Sequence, residues 1–473
     1  MTGPFCRTAL AGTLAGLALT FGAGETLGTG FQLNEQSASS IGNAFAAGAA
    51  FTDDVTAMWW NPAALSQFKR PQAAGALHIV VPSINFQNDG SLNATNQPLG
   101  GDGGDAGGAN FIPNAYVSVP INREFAFGVG INAPFGLTTH YGEGWLGRYQ
   151  ALKSSILTVN VNPALSWRLS PQFSVGVGAS YEYLTATLTQ NVNYSGVLAG
   201  YAAGAAALGQ IPAALIPSII AATPGLDSKA TIKGDDSAWG WNIGVAWDVT
   251  PQFRLGAGYR SELKYKVSGN QTLENPVVTL PPGTSPTVAA VVASLSATIN
   301  STLLYNKGVT SDITLPQIAN LSMLYRIDSR WEVMADVQYT GWSSIPKLQF
   351  DPTNGSAPSV VPLNWDDTYK YSVGASYRYN DQWKARFGVA FDQTPANMTD
   401  TTVRLPDSDR WWLAIGGEYR HSPTLKFDAG FVYIFADSPS FNQNQGSTAL
   451  NGLVKGTYDV STAIFSMQAV YAF

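Results

Sequence analysis

Phe173-Ser174-Val175-Gly176-Val177-Gly178-Ala179-Ser180-Tyr181-Glu182-Tyr183 alternates without a break. Successive side chains of a strand point to opposite faces. Phe173, Val175, Val177, Ala179, Tyr181 and Tyr183 therefore share one side, and Ser174, Gly176, Gly178, Ser180 and Glu182 the other. The pattern recurs with Trp241, Ile243, Val245, Trp247 and Val249 against Asn242, Gly244, Ala246 and Asp248. It recurs again with Tyr369, Tyr371, Val373, Ala375, Tyr377 and Tyr379 against Lys370, Ser372, Gly374, Ser376 and Arg378. A further segment sets Leu255, Ala257, Tyr259, Leu263 and Tyr265 against Arg254, Gly256, Gly258, Arg260, Glu262 and Lys264. In each, aromatic residues stand at the ends of the apolar face, as in the two interfacial girdles of a transmembrane barrel. The apolar side is assigned to lipid and the small or polar side to a lumen.

Outward from these segments, the chain alternates very short and long connectors. The short ones are Asn122-Arg123-Glu124, Ser170-Pro171-Gln172, Thr250-Pro251-Gln252, Asp328-Ser329-Arg330, Asn380-Asp381-Gln382 and His421-Ser422-Pro423-Thr424. All are turn sequences, rich in Asn, Asp, Ser and Pro. Long connectors fall near 88–111, 142–153, 194–236, 272–311, 351–363, 396–408 and 443–450. The predicted fold is therefore all-β, an antiparallel transmembrane β-barrel of fourteen strands spanning residues 72–473. The last strand ends Phe465-Ser466-Met467-Gln468-Ala469-Val470-Tyr471-Ala472-Phe473, and Phe473 is the expected contact for barrel assembly machinery.

Composition agrees. Of 473 residues only 12% are charged, about half the usual soluble share, while aromatics reach 12% and glycine 48 residues. Beyond the first thirty residues no run of ~18 apolar residues appears, which disfavours membrane helices. The mean hydropathy of zero fits an average over two unlike faces. A net charge of −6 argues against nucleic acid.

Met1 to Arg7 and the stretch Ala9–Leu19 read as a cleaved signal peptide over residues 1–29, with Ala23, Gly24, Gly28 or Thr29 before the cut. Cys6 lies within it, so the mature chain is expected to lack cysteine, thiol chemistry and cysteine metal sites. No cofactor is expected. The three histidines, His78, His140 and His421, sit in no nucleophilic arrangement, which disfavours an outer-membrane lipase or any enzyme.

Residues 30–71 show little strand character. Asn61 is a helix N-cap with Pro62 at the first helical position. A segment this small cannot bury a core alone. Either it plugs the barrel as a mostly helical hatch, or it hangs outside as a tail. Glycines at lumen-facing positions, among them Gly176, Gly244, Gly256, Gly258, Gly388 and Gly416, would make room for a plug.

Several stretches carry a resemblance: Gly30-Phe31-Gln32-Leu33-Asn34-Glu35, Asn61-Pro62-Ala63, Asn132-Ala133-Pro134-Phe135-Gly136-Leu137, Tyr339-Thr340-Gly341-Trp342-Ser343 and Leu405-Pro406-Asp407-Ser408-Asp409-Arg410. Together they resemble the FadL/TodX family of outer-membrane transporters for long-chain fatty acids and aromatic hydrocarbons. The resemblance implies a Gram-negative outer membrane, a hatch, a low-affinity apolar groove outside, a high-affinity pocket inside and a lateral opening at a kink in the third strand. Lipopolysaccharide and outer-membrane lipid are then the surroundings, and a monomer is the expected state.

Residue chemistry supplies candidates for each part. Two nearly uncharged loops offer Leu198, Leu208, Leu215, Ile216 and Ile219, and Val291, Val292 and Leu295, as groove residues, although the loops could instead cap each other. Pro134 and Gly136 interrupt the third strand, because Pro lacks a ladder donor and Gly weakens a strand, placing a wall gap near Asn132–Gly136. Arg260 and Lys264, inward by parity, and Lys347 are candidate carboxylate contacts; ion pairs to the hatch compete with that role. The strand after Phe173 offers Tyr183, Leu184 and Thr185 where the fatty-acid transporter carries a basic pocket residue, so neutral aromatic hydrocarbons or alkanes stay open as substrates. Passive uptake of hydrophobic compounds is the leading function, and a general aqueous porin the alternative.

Overall fold

A computed structural model of the chain describes residues 30–397, 400–443 and 447–473. The proposed signal peptide and Cys6 lie outside the described residues. Fourteen antiparallel strands form one closed wall: β1 (Gln72–Asn88), β2 (Asn110–Pro120), β3 (Phe125–Asn132, resuming at Gly136–His140), β4 (Lys153–Arg168), β5 (Phe173–Asn193), β6 (Asp227–Asp248) and β7 (Phe253–Arg260, resuming at Leu263–Glu274). The circuit continues through β8 (Lys307–Leu315, Ile318–Arg326), β9 (Trp331–Thr340, Lys347–Pro352), β10 (Ser359–Pro362, Thr368–Arg378), β11 (Trp383–Asp392), β12 (Arg410–Arg420), β13 (Leu425–Ala436, Ser440–Gln443) and β14 (Val454–Ala472). It closes where β1 pairs with β14, from Gln72 opposite Ala472 to Asn88 opposite Gly456. No backbone edge is left along that seam, which a lipid-embedded sheet requires.

All six predicted tight turns are present, and each is held by a side chain at or near its start. Asn122 accepts from the Glu124 and Phe125 amides at 2.8 Å, Asp328 from Arg330 and Trp331 at 2.7 Å, and Asn380 from Trp383 at 2.8 Å. Ser170, Thr250 and Ser422 do the same with their hydroxyls. These local rings make the turns legible in sequence. β6 begins at Asp227, earlier than alternation alone suggested. Its first residues are charged and pair with the upper part of β5, so the wall extends above the apolar band.

Cross-strand aromatic pairs mark the two girdles. One band contains Phe125 with Trp167, Trp331 with Tyr377 and Trp383 with Tyr419, at ring separations of 5.7, 4.6 and 4.7 Å. The other contains Tyr181 with Trp239, Tyr339 with Tyr369 and Phe391 with Trp411, at 5.0, 5.5 and 5.0 Å. Between them lie outward Val177, Ile243, Val373, Leu413 and Phe387, all exposed in the isolated chain. Along β9 the bands stand at Trp331 and Tyr339. At ~3.3 Å per residue and a tilt of ~40°, that spacing gives about 20 Å, close to the ~25 Å apolar band of such barrels.

The N-terminal segment fills the lumen. α1 (Ala38–Ile41) is followed by three short 3-10 turns, Gly48–Ala50, Val55–Trp59 and Pro62–Gln67. Ile41, Val55, Met58, Asn61, Ala63 and Leu65 are fully buried. The segment is thus more 3-10 than α-helical. Its fit explains the lumen glycines: a Cβ at Gly176, Gly244, Gly256, Gly258 or Gly388 would overlap Pro62–Ala63, Asn61, Ala49, Trp60 or Asn43 respectively. Gly416 and Gly42 bring backbone against backbone.

Candidate functional site

The third strand breaks at Ala133-Pro134-Phe135, and the break is asymmetric. Toward β4 the ladder resumes with a one-residue offset, from Asn132 opposite Asn160 to Gly136 opposite Leu157, and the Phe135 amide donates to the Thr158 hydroxyl at 3.0 Å. Toward β2 it does not resume. The β2–β3 ladder ends at Ala115 opposite Ile131, while β2 continues to Asn110 against β1 alone.

The hatch takes the place of the missing neighbour. The Leu33 amide donates to the Pro134 carbonyl at 2.8 Å, the Gly136 amide donates to the Phe31 carbonyl at 2.9 Å, and Gln32 faces Phe135 as an antiparallel bridge. Gln36 Nε2 adds a bond to the Ala133 carbonyl at 2.9 Å. The ring of Phe31 lies in a buried aromatic cage, 5.9 Å from Phe135, 5.1 Å from Trp342 and 5.9 Å from Trp365. Trp342 is turned inward by the short 3-10 turn at Trp342–Ser344. Gly30 starts the hatch with φ +59, its amide donating to Asp407 Oδ2 at 2.9 Å, and a Cβ there would strike Trp342.

Polar contacts fix the rest of the hatch. Asn61 does three tasks: Oδ1 caps Ala63 N at 2.9 Å, and Nδ2 donates to the Ala49 and Val245 carbonyls at 2.7 and 2.8 Å. Pro62 stands at the first helical position, as the sequence predicts. Asn34 accepts from Lys370 Nζ at 2.8 Å, and the Glu35 carbonyl accepts from Asn114 at 2.6 Å. Burial of the Glu35 carboxyl pushes its pKa from 4.5 up to about 7. Lower down, Asp53 pairs with Lys384 at 2.8 Å and Arg386 at 3.1 Å, and Asp54 pairs with Lys426 at 3.0 Å. Most inward cations therefore serve the hatch.

The three candidate carboxylate contacts separate. Arg260 faces the lumen, stacked 3.5 Å from the Trp59 ring and donating to the Trp59 carbonyl. Lys264 does not: its side chain is 73% exposed and pairs with the exposed Glu262. Ser261 and Glu262 together oppose the single Trp241, since Asn242 pairs with Arg260 but Asp235 pairs with Ser268. This bulge reverses parity, so Leu263 and Tyr265 point inward and Glu262 and Lys264 outward. Lys347 is also exposed. It follows another interruption, Gly341–Pro346, across which the β9–β10 register shifts by one residue. Lys264 thus turns away from the lumen, and Lys347 is open to solvent.

Among the groove candidates, Leu198, Ile219 and Val292 are buried in a core shared by α2 (Tyr194–Ala207), α3 (Ile216–Ala222) and α4 (Pro286–Thr302). Leu215, Ile216, Val291 and Leu295 are partly covered, and Leu208 is 75% exposed. The loops thus do cap each other, leaving a fringe of partly exposed apolar side chains. Sequence reasoning missed Trp365, Asp407 as the partner of Gly30, and Arg404. Arg404 is buried, bonded to Ser154 and Gln190, with no acidic partner within ion-pair distance among the described residues. Its place beside Leu405–Arg410 was the one available signal.

A small cavity with about 20 Å³ of free space lies between the kink, the hatch and the wall, touching Phe135, Trp59, Glu182, Arg260, Leu263 and Trp241. Its lining is apolar with a few convergent polar groups, and its free space matches one small polar group, such as a hydroxyl.

Comparison with known proteins agrees with this architecture. A family model described as outer membrane protein transport protein (OMPP1/FadL/TodX) matches residues 19–473. The chain is 29% identical to a long-chain fatty acid transport protein of Escherichia coli, over 89% of this chain and 90% of that one. It is 26% identical to outer membrane protein P1 of Haemophilus influenzae, over 98% and 99%. In fold it matches a Pseudomonas aeruginosa FadL homologue with a TM-score of 0.80 at 24% identity, covering 94% of this chain and 99% of that one. The Ralstonia pickettii toluene transporter TbuX aligns with a TM-score of 0.60 at 20% identity, covering 91% and 98%. The family consists of outer-membrane transporters and not of enzymes. With a model that matches nearly the whole chain and a hatch-filled barrel of fourteen strands, the chain belongs to the OMPP1/FadL/TodX family of outer membrane transport proteins.

Proposed function

We propose that the chain takes up long-chain fatty acids passively, from the apolar fringe of the outer loops, through the aromatic cage, and out sideways between β2 and β3. The observation that carries this reading is the junction of Phe31–Leu33 with Pro134–Gly136. The wall has a gap between β2 and β3, and the hatch fills it with hydrogen bonds and a buried ring. An apolar guest that takes the place of Phe31 would occupy the cage and free the kink at once. Arg404 is a buried cation without an acidic partner within ion-pair distance among the described residues, and it can meet a carboxylate. The relative from Escherichia coli, a long-chain fatty acid transport protein, supports this substrate over aromatic hydrocarbons. A monomer in outer-membrane lipid and lipopolysaccharide, assembled through its exposed Phe473, completes the reading.

The test is a reversible tether. Gln32 and Phe135 form a bridge pair, whose Cβ atoms typically stand ~5 Å apart, within reach of a disulfide. The Gln32→Cys/Phe135→Cys double variant is expected to block oleate uptake in cells when oxidised and to regain it on reduction. Undiminished uptake in the fully oxidised protein would exclude the β2–β3 exit.

A further inference from the structure

The β7 bulge does more than turn Lys264 outward. It brings Tyr265 inward, where its hydroxyl donates to Glu182 Oε1 at 3.1 Å. Had parity continued, a lysine would have faced this carboxylate. Instead Glu182 is 1% exposed, and its Oε2 has no hydrogen-bond partner. An orphaned buried acceptor is costly and calls for an occupant.

Arg260 lines the same cavity. Its Nε and Nη2 donate to the Trp59 carbonyl at 3.0 and 2.7 Å, and Nη2 also donates to Asn162 at 3.0 Å. Nη1 makes a single long bond to Ser180 at 3.4 Å. A guanidinium carries five N–H donors, so Nη1 retains one for a guest. Arg260 and Glu182 form no ion pair with each other, yet both line this one small cavity.

The cavity also reaches the wall. Pro316 has no amide to give, and no backbone hydrogen bond joins Ser261–Glu262 to Pro316–Gln317 among the described residues. Trp241, which lines the cavity, is half exposed and packs against Tyr259 at the level of the upper aromatic band. The polar pair therefore sits at the depth where lipid chains end and head groups begin.

We propose that this cavity is a head-group subsite for long-chain amphiphiles bearing a neutral hydroxyl. The hydroxyl donates to Glu182 Oε2 and accepts from Arg260 Nη1, satisfying both. A carboxylate would accept from Arg260 but bring only acceptor oxygens to the unpaired Glu182 Oε2, and a bare hydrocarbon would leave both groups unsatisfied. The assignment rests on the reading that substrates pass through this lumen.

Competition against the fluorescent probe N-phenyl-1-naphthylamine on the purified full-length barrel in detergent, with 1-dodecanol, dodecanoate and dodecane, tests it. Heat-modifiable migration on gels confirms that each variant is folded. The wild-type protein is expected to bind 1-dodecanol about tenfold more tightly than either other ligand. Glu182→Leu should lose that advantage, and Glu182→Gln should keep the alcohol within about threefold while improving dodecanoate about tenfold. Equal binding of alcohol and alkane, unchanged by either substitution, overturns the head-group assignment and leaves the lumen route standing. Failure of all three ligands to displace the probe overturns the route reading and this proposal with it.

Discussion

Asp54→Ala should unseat the hatch while leaving the wall intact. Asp54 is fully buried, and its Oδ1 caps the turn Val55–Trp59 by accepting from the Thr56 amide at 3.1 Å. Its Oδ2 pairs with Lys426 at 3.0 Å and accepts from Gln468 Nε2 at 3.1 Å. Loss of an N-cap costs about 1 kcal/mol. Breaking a buried pair by removing one partner costs about 3–5 kcal/mol when the other charge is left alone. Here Lys426 keeps Glu418 at 3.4 Å and Asp428 at 3.5 Å, both on the wall, so the penalty falls below that range. A total of about 3 kcal/mol shifts the ratio of seated to unseated hatch by about a hundredfold. The strand-to-strand ladders, none of which involves Asp54, should be unaffected. Planar-bilayer recording reads the outcome: openings to small ions should become about a hundredfold more frequent, with gel heat-modifiability unchanged. A folded variant whose openings match the wild type would show that this pair does not hold the hatch.

Four further outcomes follow from the same geometry. Gly258→Leu places a side chain where the Trp60 carbonyl lies, and the folded barrel should leak small sugars in liposome-swelling assays at a rate well above wild type. Leu198→Ala, in the shared core of the outer helices, should cost about 2–5 kcal/mol and expose those loops to protease. Leu208→Ala, at 75% exposure, should leave stability within about 0.5 kcal/mol and lower the rate of substrate capture. Glu35 holds its proton up to about pH 7 when the hatch is seated, against 4.5 when free. The seated state therefore binds the extra proton, and seating weakens as pH rises from about 5 through 7, by up to about 3 kcal/mol. Channel openings should increase over that window, and Glu35→Gln should flatten the dependence.

Which features could be read from the sequence depends on the range of the physics that makes them. The tight turns were legible because the residue that closes each one lies within three positions of the amides it binds, as at Asn122 and Asp328. The capping pair Asn61-Pro62 and the lumen glycines were legible for similar reasons, one local and one set by parity. Parity itself fails at a bulge. Nothing in Ser261-Glu262 announces an extra residue, so Lys264 was placed on the wrong face while Arg260, three positions past Ala257 and before the bulge, was placed on the right one. Lys347 was a candidate through the resemblance alone, and it lies exposed just beyond the interruption at Gly341–Pro346. The aromatic cage was beyond reach, because Phe31, Phe135, Trp342 and Trp365 meet only through the closed barrel.

The β2–β3 gap also sets how the proposed route can open. Unpaired backbone groups are costly in a bilayer, so a strand that leaves its neighbour must find another partner. For the upper part of β3, that partner on the lumen side is Phe31–Leu33, with Gln36 bonding Ala133 beside it. At about 1 kcal/mol net for each of these three hydrogen bonds, two through the hatch backbone and one from the Gln36 side chain, withdrawal of the hatch costs roughly 3 kcal/mol, before the loss of Phe31 from the cage. Burial of a Phe side chain is worth about 1.5–3 kcal/mol. A guest that only binds the loops supplies neither amount at the kink. An acyl chain entering the cage replaces the Phe31 contacts at ~25 cal/mol per Å² of apolar surface, so that part of the cost cancels and only the hydrogen bonds remain. On the proposed route the gate is therefore selected by what fills the cage. A small polar solute leaves Phe31 in place and the wall shut, whereas a long apolar chain lowers the opening cost to a few kcal/mol, within thermal reach.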